Sequence, residues 1–132
     1  MKPVMQDTFG RDDGNCFSAC LASIFEVPLS EVPNFFLTAG DEANAWWAAV
    51  RDWLRPRGFG VIGLQLGDEV GLLDEFEGWL IVTGESARDI HHATIWRDGK
   101  MVHDPHPSQC GIRHPQWINV LYPLDPSALQ VR

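Results

Sequence analysis

Cys16 stands where a loop becomes a helix, and this position suits a nucleophilic thiol. It follows Gly14 and Asn15 and opens an amphipathic pattern that continues through residues 16–26. The first turn of a helix presents unpaired backbone N–H groups and the positive end of the helix dipole, and both favour a thiolate over a thiol. A thiolate attacks carbonyl carbons readily. The sequence therefore predicts Cys16 as a nucleophile.

The segment 92–104 supplies the partners that such a nucleophile needs. His92 can act as the base, and Asp104 can orient its imidazole ring. The oxyanion that develops on the substrate needs donors already in place, and the nearest candidates are the backbone N–H of Cys16 and the side-chain amide of Gln6. The resulting hypothesis is a Cys16, His92, Asp104 hydrolase site with Gln6 at the oxyanion.

The other two cysteines are predicted to have no catalytic role. Cys20 lies on the buried face of the same helix and is interpreted as core, whereas Cys110 lies in a loop and is interpreted as an incidental thiol. Cys16 and Cys20, one helical turn apart, are poorly oriented for a disulfide. Because the chain has three cysteines, at least one must stay unpaired, and we expect free thiols.

A metal site is the competing interpretation of the second segment. Two histidines, an aspartate and a cysteine lie close together in the sequence: His103, Asp104, His106 and Cys110. The histidine pair at 91–92 is nearby. Zinc held by three such groups plus water would make a hydrolase of another class. The cluster lacks a ligand pair at helical i, i+4 spacing and leaves the Cys16 helix start unexplained. We therefore expect no metal and no cofactor.

The order of the predicted elements indicates an α+β fold, with N-terminal helices packed on a C-terminal antiparallel β-sheet. Helices are predicted at 16–26 and 41–54, with a short turn or helix at 28–36 limited by Pro33 and another at 69–76. Short apolar runs predict strands at 61–66, 79–83, 93–96, 101–103 and 117–122. One domain, residues 1–132, accommodates all of them.

The turn at residues 97–100 decides whether His92 and Asp104 can meet. A two-residue Asp98-Gly99 loop would pair Arg97 with Lys100 and turn the two side chains to opposite faces. A three-residue loop with Gly99 as a bulge would pair residue 96 with residue 100 and place His92 opposite Asp104. That register also sends Ala93, Ile95 and Met101 to the core face. The bulged turn is the one we predict.

Composition narrows the classes of partner. The formal charge of −8 disfavours nucleic acid and anionic lipid. No apolar run approaches the roughly 20 residues of a membrane helix, and residues 1–6 lack the apolar core of a signal peptide, so a cytoplasmic protein is expected. Six tryptophans, including the pair at 46–47, exceed the usual need of a small core, and some are expected to line a cleft. The sequence does not indicate an oligomeric state.

Three motifs resemble the papain-like cysteine peptidases, and among them the C39 (double-glycine) type and related small bacterial and phage proteins. They are the nucleophile stretch 14–22, the histidine stretch 92–95 and the carboxylate stretch 103–105, about a quarter of the chain. The resemblance implies a papain-like fold with Cys16 as nucleophile, His92 as base, Asp104 as orienting acid and Gln6 as the oxyanion glutamine. Gln6 lies farther before the cysteine than that glutamine usually does. No transporter segments accompany the site, so leader-peptide processing is not implied.

The function expected from this pattern is a cysteine peptidase or amidase that cleaves a peptide or isopeptide bond through an acyl-enzyme on Cys16, with a peptide or protein as substrate. The same three residues can pass the acyl group to an amine, which would make the protein an acyltransferase. A non-catalytic binding module of the same shape is a third reading, and a zinc hydrolase is a fourth.

Overall fold

The computed structural model describes residues 1–11, 14–39, 44–68 and 70–125. Within them, three α-helices precede five β-strands, as predicted for an α+β fold. The helices are α1 (Cys16–Phe25), α2 (Phe35–Thr38) and α3 (Ala45–Leu54); the strands are β1 (Phe59–Gln65), β2 (Leu80–Glu85), β3 (His91–Arg97), β4 (Lys100–His103) and β5 (His114–Pro123). Short 3-10 helices occupy Leu29–Glu31, Arg55–Arg57 and Val70–Asp74.

All strand pairings are antiparallel, and the sheet order is β1-β5-β2-β3-β4. The last strand therefore returns to the middle of the sheet, between the first two. Helix α1 packs against β3, so the residue that opens the helix and the residues that open β3 lie in one region. This packing positions the candidate site.

Helix α1 is buried on nearly all sides because its residues are apolar or small. Phe17 and Leu21 pack in one core cluster with Ile81 and Ile95 of the sheet. The predicted 16–26 helix is confirmed to within one residue: α1 ends at Phe25, and the next residue takes a left-handed conformation with φ 56°. Such a residue ends a helix by turning its N–H back to the last carbonyls.

Two other predicted helices are found in part. Helix α3 (Ala45–Leu54) ends where the predicted 41–54 helix ends, and the predicted start at 41–43 lies outside the described residues. The helix predicted at 69–76 is a 3-10 helix from Val70 to Asp74, with residue 69 outside the described part. Five residues is long for a 3-10 run, since most have three or four. It covers a second hydrophobic cluster, which contains Leu66, Leu73, Leu80, Val82 and Ile118.

The predicted register of the β3–β4 hairpin is wrong at the turn. Arg97 pairs with Lys100, so the loop has two residues, and Asp98 and Gly99 both have positive φ (54° and 76°). This is the primed turn that an Asp-Gly pair favours, because its twist matches that of the flanking strands. Met101, which the predicted register sent to the core, is exposed.

A bulge nonetheless occurs, three residues later than predicted. The pairing jumps from residue 96 with Met101 to Ile95 with His103, which leaves Val102 as the extra residue. One extra residue on the second strand restores the side-chain alternation that the turn bulge would have produced. The hairpin therefore still places the side chains of residues 92 and 104 on the same face, as the predicted turn would have done.

No single helix in the described part of the chain has the length and apolar character to cross a membrane. Only α1 taken together with Leu29–Thr38 reaches that length, across a bend of 106°, and α1 is mostly buried inside the protein.

Candidate functional site

Cys16 is the first residue of α1 and is half-buried. The helical hydrogen bonds begin with Ala19 N–H donating to the Asn15 carbonyl at 3.0 Å. Asn15 stands at the N-cap, but its side chain makes no capping bond. Its Oδ1 instead accepts from the backbone N–H groups of Asp7 and Thr8, and its Nδ2 donates to the Asp7 carboxylate. The side chain that usually satisfies a first-turn donor is thus engaged elsewhere.

His92 and Asp104 form a buried pair. The His92 Nε2 and the Asp104 Oδ1 are 2.7 Å apart, and the two residues are 3% and 0% exposed. Because a carboxylate only accepts, Nε2 donates the hydrogen bond. This leaves Nδ1 as the ring nitrogen for a second partner; Cys16 lines the same cleft and lies close enough to raise the pKa of His92. The structure thus brings Cys16, His92 and Asp104 together.

Asp104 is held by backbone donors as well as by His92. His106 N–H donates to Oδ1 at 2.9 Å and Gly111 N–H donates to Oδ2 at 2.7 Å. Burial by itself raises the pKa of Asp104, but the hydrogen bonds from His92, His106 and Gly111 outweigh it, so the pKa lies below its usual value. The Gln109 side chain donates to the Asp104 carbonyl at 2.7 Å. The loop 104–111 therefore wraps the carboxylate.

His92 carries a proton at neutral pH in this setting. Burial by itself lowers the pKa of His92, but the hydrogen bonds to Asp104 and Cys16 and the charges of both groups raise it to about 9. Asp104 and Cys16 are therefore the two neighbours that hold the proton on His92.

Gln6 lies in the same cleft as Cys16 and is 7% exposed. Its backbone N–H donates to the Pro105 carbonyl, next to Asp104, and its side-chain Nε2 donates to the Thr8 carbonyl, both at 3.0 Å. An amide nitrogen has two hydrogens, so Nε2 keeps one for another acceptor. Gln6 is therefore brought to the site, with its amide anchored by the segment that precedes α1.

The N-terminal segment 1–8 ties the Cys16 helix to the Asp104 loop. Lys2 N–H and Val4 N–H donate to the carbonyl and hydroxyl of Ser23 on α1. His103 Nε2 donates to the Val4 carbonyl at 2.8 Å on the other side. The segment thus links the helix that carries Cys16 to the loop that carries Asp104.

The three cysteines occupy three different environments, and all are free thiols. Cys20 is fully buried in the core cluster, whereas Cys110 is exposed. Burial raises the pKa of Cys20 well above its ordinary value, and the neighbouring Cys16 and Asp104 charges act in the same direction. Cys20 is therefore a poor nucleophile at neutral pH.

The alternative zinc cluster has no counterpart in the structure. Among the described residues, no group of three or more His, Cys, Asp or Glu side chains has the arrangement to hold a metal ion. His103 is buried against the Val4 carbonyl, and Asp104 accepts hydrogen bonds from His92 and two backbone donors. These residues are close together in the sequence, but their side chains therefore lie in different surroundings.

A cleft of about 660 Å³ opens beside Cys16 and His92. Three of the six tryptophans line it: Trp46, Trp47 and Trp117. Trp46 stacks on Phe36 with ring centroids 4.8 Å apart and meets the edge of Trp47 at 5.1 Å. The expectation that some tryptophans line a cleft is confirmed, and these aromatic side chains line the same cleft as the Cys16 thiol.

Several residues around the site were missed from sequence. His106, considered from sequence only as a possible metal ligand, lines the cleft, and its ring lies edge-on to His92 at 6.0 Å. Gly111 and Gln109, which hold Asp104, carried no recognised signal, although both take positive φ (72° and 55°) in a loop of prolines and polar residues. Arg11 and Arg88 also line the cleft. Their positions depend on loops that no periodic pattern predicts.

Comparison of the chain with protein-family models, with curated proteins and with solved structures found no match in any of the three.

Proposed function

We propose that this protein is a cysteine-dependent hydrolase that cleaves an amide bond, in a peptide or an isopeptide, through an acyl-enzyme on Cys16. One observation carries the proposal: a thiol at the start of a helix shares a cleft with a buried histidine whose pKa it raises, and that histidine has a ring nitrogen 2.7 Å from a buried carboxylate. Nucleophile, base and orienting acid in this order are the working parts of thiol hydrolases. We also propose that the helix and sheet are a minimal papain-like arrangement, as the resemblance of the three motifs implies.

The first half-reaction uses the ion pair. The Cys16 thiolate attacks the carbonyl carbon, and the C=O electron pair moves onto oxygen to give a tetrahedral oxyanion. When the C–N bond breaks, the His92 imidazolium gives its proton to the departing nitrogen, and a thioester remains on Cys16. Asp104 keeps Nε2 protonated and the ring oriented throughout.

The second half-reaction returns the enzyme to its starting state. Neutral His92 takes a proton from a water molecule as that water attacks the thioester carbonyl. The C–S bond then breaks, which releases a carboxylic acid and restores the thiolate beside the imidazolium.

The donors for the oxyanion come from two sources. The first turn of α1 offers backbone N–H groups that no N-cap side chain satisfies, because Asn15 bonds to Asp7 and Thr8 instead. The Gln6 amide, buried in the same cleft, is the second source. Its second amide hydrogen is the one that would meet the oxyanion.

The test is cleavage of a complex peptide mixture, with products identified by mass spectrometry. The wild type should generate new termini, Cys16→Ala should generate none, and Cys110→Ala should match the wild type because Cys110 is exposed and lies outside the cleft lining. Iodoacetamide at pH 7 should alkylate Cys16 faster than Cys110 in the same molecule. Equal rates at the two thiols, or cleavage by Cys16→Ala, would overturn the proposal and leave a binding module as the better description.

A further inference from the structure

The cleft differs in charge from the chain that forms it. The chain has a formal charge of −8, yet the described residues that line the cleft include Arg11 and Arg88 and no Asp or Glu. Three histidines complete its ionisable lining: His91, His92 and His106. A cationic cleft in an acidic protein attracts anionic ligands in preference to cationic ones.

Two acidic side chains close to Arg88 in the sequence, Glu85 and Asp89, are paired with another arginine. Arg113 binds both, each with a nitrogen to oxygen distance of 2.6 Å. Arg11 reaches this region through its Nη2, which donates to the Asp89 backbone carbonyl at 3.3 Å. Three arginines, Arg11, Arg88 and Arg113, thus outnumber these two carboxylates, and this group of described residues keeps a positive charge.

Arg88 lies close to His106, and His106 lies beside His92, the catalytic histidine of the proposed mechanism. The charge of Arg88 acts on the His106 ring, and that ring contacts His92 edge-on. Its Nε is buried and has no hydrogen-bond partner within the described part of the chain. A guanidinium with a spare buried donor binds a carboxylate more readily than one that is fully engaged.

The two ends of the cleft therefore have different chemistry. Phe36, Trp46 and Trp47 form an aromatic end through their mutual ring contacts. Arg11 and Arg88 form a cationic end on the His92 side, where the charge of Arg88 acts on His106. Under the proposed mechanism His92 protonates the leaving nitrogen, so the leaving group lies over His92 and toward the cationic end.

We propose that the substrate carries a carboxylate on its leaving-group side, held by Arg88 with help from Arg11, and a bulky apolar group against the aromatic end. This inference rests on the proposed function and specifies its substrate class. The carboxylate can be the C-terminus of a short peptide or an acidic side chain near the cleaved bond, because both present the same group to a guanidinium.

A pair of alkylating reagents of nearly equal size tests the charge preference without a known substrate. Iodoacetate carries a carboxylate and iodoacetamide does not, so the ratio of their rates at Cys16 measures attraction of a carboxylate to the cleft. We expect a higher ratio at Cys16 than at Cys110 in the same molecule. Arg88→Gln should lower the Cys16 ratio about fivefold, and Arg88→Lys should restore most of it because the charge returns.

Arg55→Gln is the matched control, because Arg55 is exposed, pairs with Asp52 and does not line the cleft. It should leave the ratio unchanged. A Cys16 that reacts rapidly with iodoacetamide but has the same ratio in wild type, Arg88→Gln and Arg11→Gln would overturn the substrate class alone. A Cys16 that reacts no faster than Cys110 with iodoacetamide would overturn the proposed function and this inference with it.

Three short peptides distinguish the two sources of the carboxylate. Ala-Ala-Ala with a free C-terminus, Ala-Ala-Glu amide and the neutral Ala-Ala-Gln amide compete with iodoacetamide for the cleft. Selective protection of Cys16 by the first peptide identifies a terminal carboxylate, and selective protection by the second identifies an acidic side chain. Protection that Arg88→Gln abolishes supports the inference in either case. If neither acidic peptide protects better than the neutral one, the inference is wrong.

Discussion

The first and second turns of α1 each carry a cysteine, and the two thiols lie in opposite environments. Cys16 lies at the edge of the cleft, half-buried, with His92 as a partner. Cys20, one turn later, is fully buried among apolar side chains. The charge of Asp104 acts on Cys20 directly, and both Asp104 and Cys16 act on His92. Of the two thiols, only Cys16 interacts with the His92 ring.

The difference separates the two thiols by their neighbours. Proximity to Asp104 does not distinguish them, because Asp104 acts both on Cys20 and on the His92 ring beside Cys16. Burial raises the pKa of Cys20 well above its ordinary value, because the thiolate would lose its hydration and gain no hydrogen-bond donor. The imidazolium of His92 is the decisive neighbour, and the predictions below test that contrast.

Cys16→Ala should have the largest effect. We expect the rate of peptide cleavage to fall by about 10⁴-fold or more, because no second thiol can reach a substrate in the cleft. The Tm should hardly change, since Cys16 is only half-buried. Initial rates on any peptide that the wild type cleaves, together with thermal denaturation, check both statements. A variant that keeps a tenth of the activity would remove Cys16 from the mechanism.

Asp104→Asn should be the most destabilising of these changes. The carboxylate accepts three hydrogen bonds, from His92, His106 and Gly111, and the amide of asparagine must point its NH₂ group at one of these donors. Breaking a buried pair in this way costs about 4 kcal/mol in the free energy of unfolding. Urea denaturation measures it. Asp98→Asn at the exposed turn is the control and should cost almost nothing; equal losses would show that Asp104 is not held as described.

Sequence reasoning succeeded where a local pattern dictates the structure. Helix α1 begins at Cys16 as predicted, because loop residues precede an apolar helical repeat, and the strands fall within a few residues of their apolar runs. The β3–β4 hairpin shows where local patterns are not sufficient. Asp98-Gly99 forms the two-residue turn that its local preference favours, while the bulge at Val102 depends on how β4 fits against the core and the N-terminal segment. No local signal marks such a residue.

The polar shell of the site was also beyond the sequence. His92 and Asp104 were named because their residue types fit the chemistry, but their contact depends on the Val102 bulge and on Gly111, whose N–H caps the carboxylate. Gly111 lies seven residues along an irregular loop. Arg88 and His106 reach the cleft from two separate loops. Contacts between loops depend on tertiary structure that periodicity does not encode.

The His92 contribution to stability should depend on pH in a direction that the raised pKa fixes. A histidine whose folded pKa is about 9, against about 6.5 when unfolded, stabilises the fold fully below pH 6.5 and loses that contribution as the pH rises through 9. The difference in unfolding free energy between wild type and His92→Gln should therefore shrink by on the order of 3 kcal/mol across that window. Urea denaturation at a series of pH values measures this difference.

Variants of Cys16 and Cys20 test which thiol raises the pKa of His92. Cys16 is one of the groups that raise the His92 pKa, so in Cys16→Ala the loss should move to lower pH. Cys20 is not among the groups that act on His92, so Cys20→Ala should leave the midpoint where the wild type has it. A midpoint that moves equally in both variants would mean that the Cys16 thiol is not the partner of His92.

Cys20→Ala should have the smallest effect and complete the comparison. Removing a buried sulfur from the core cluster leaves a small void and should lower the free energy of unfolding by about 1 kcal/mol. The alkylation rate of Cys16 should stay within about twofold of wild type, because the Cys16 and His92 pair does not use Cys20. A large fall in Cys16 reactivity would instead mean that the second turn positions the first, since Cys20 packs directly beneath the thiol on the same helical face. The two turns would then form one functional unit, and the buried thiol would belong to the site.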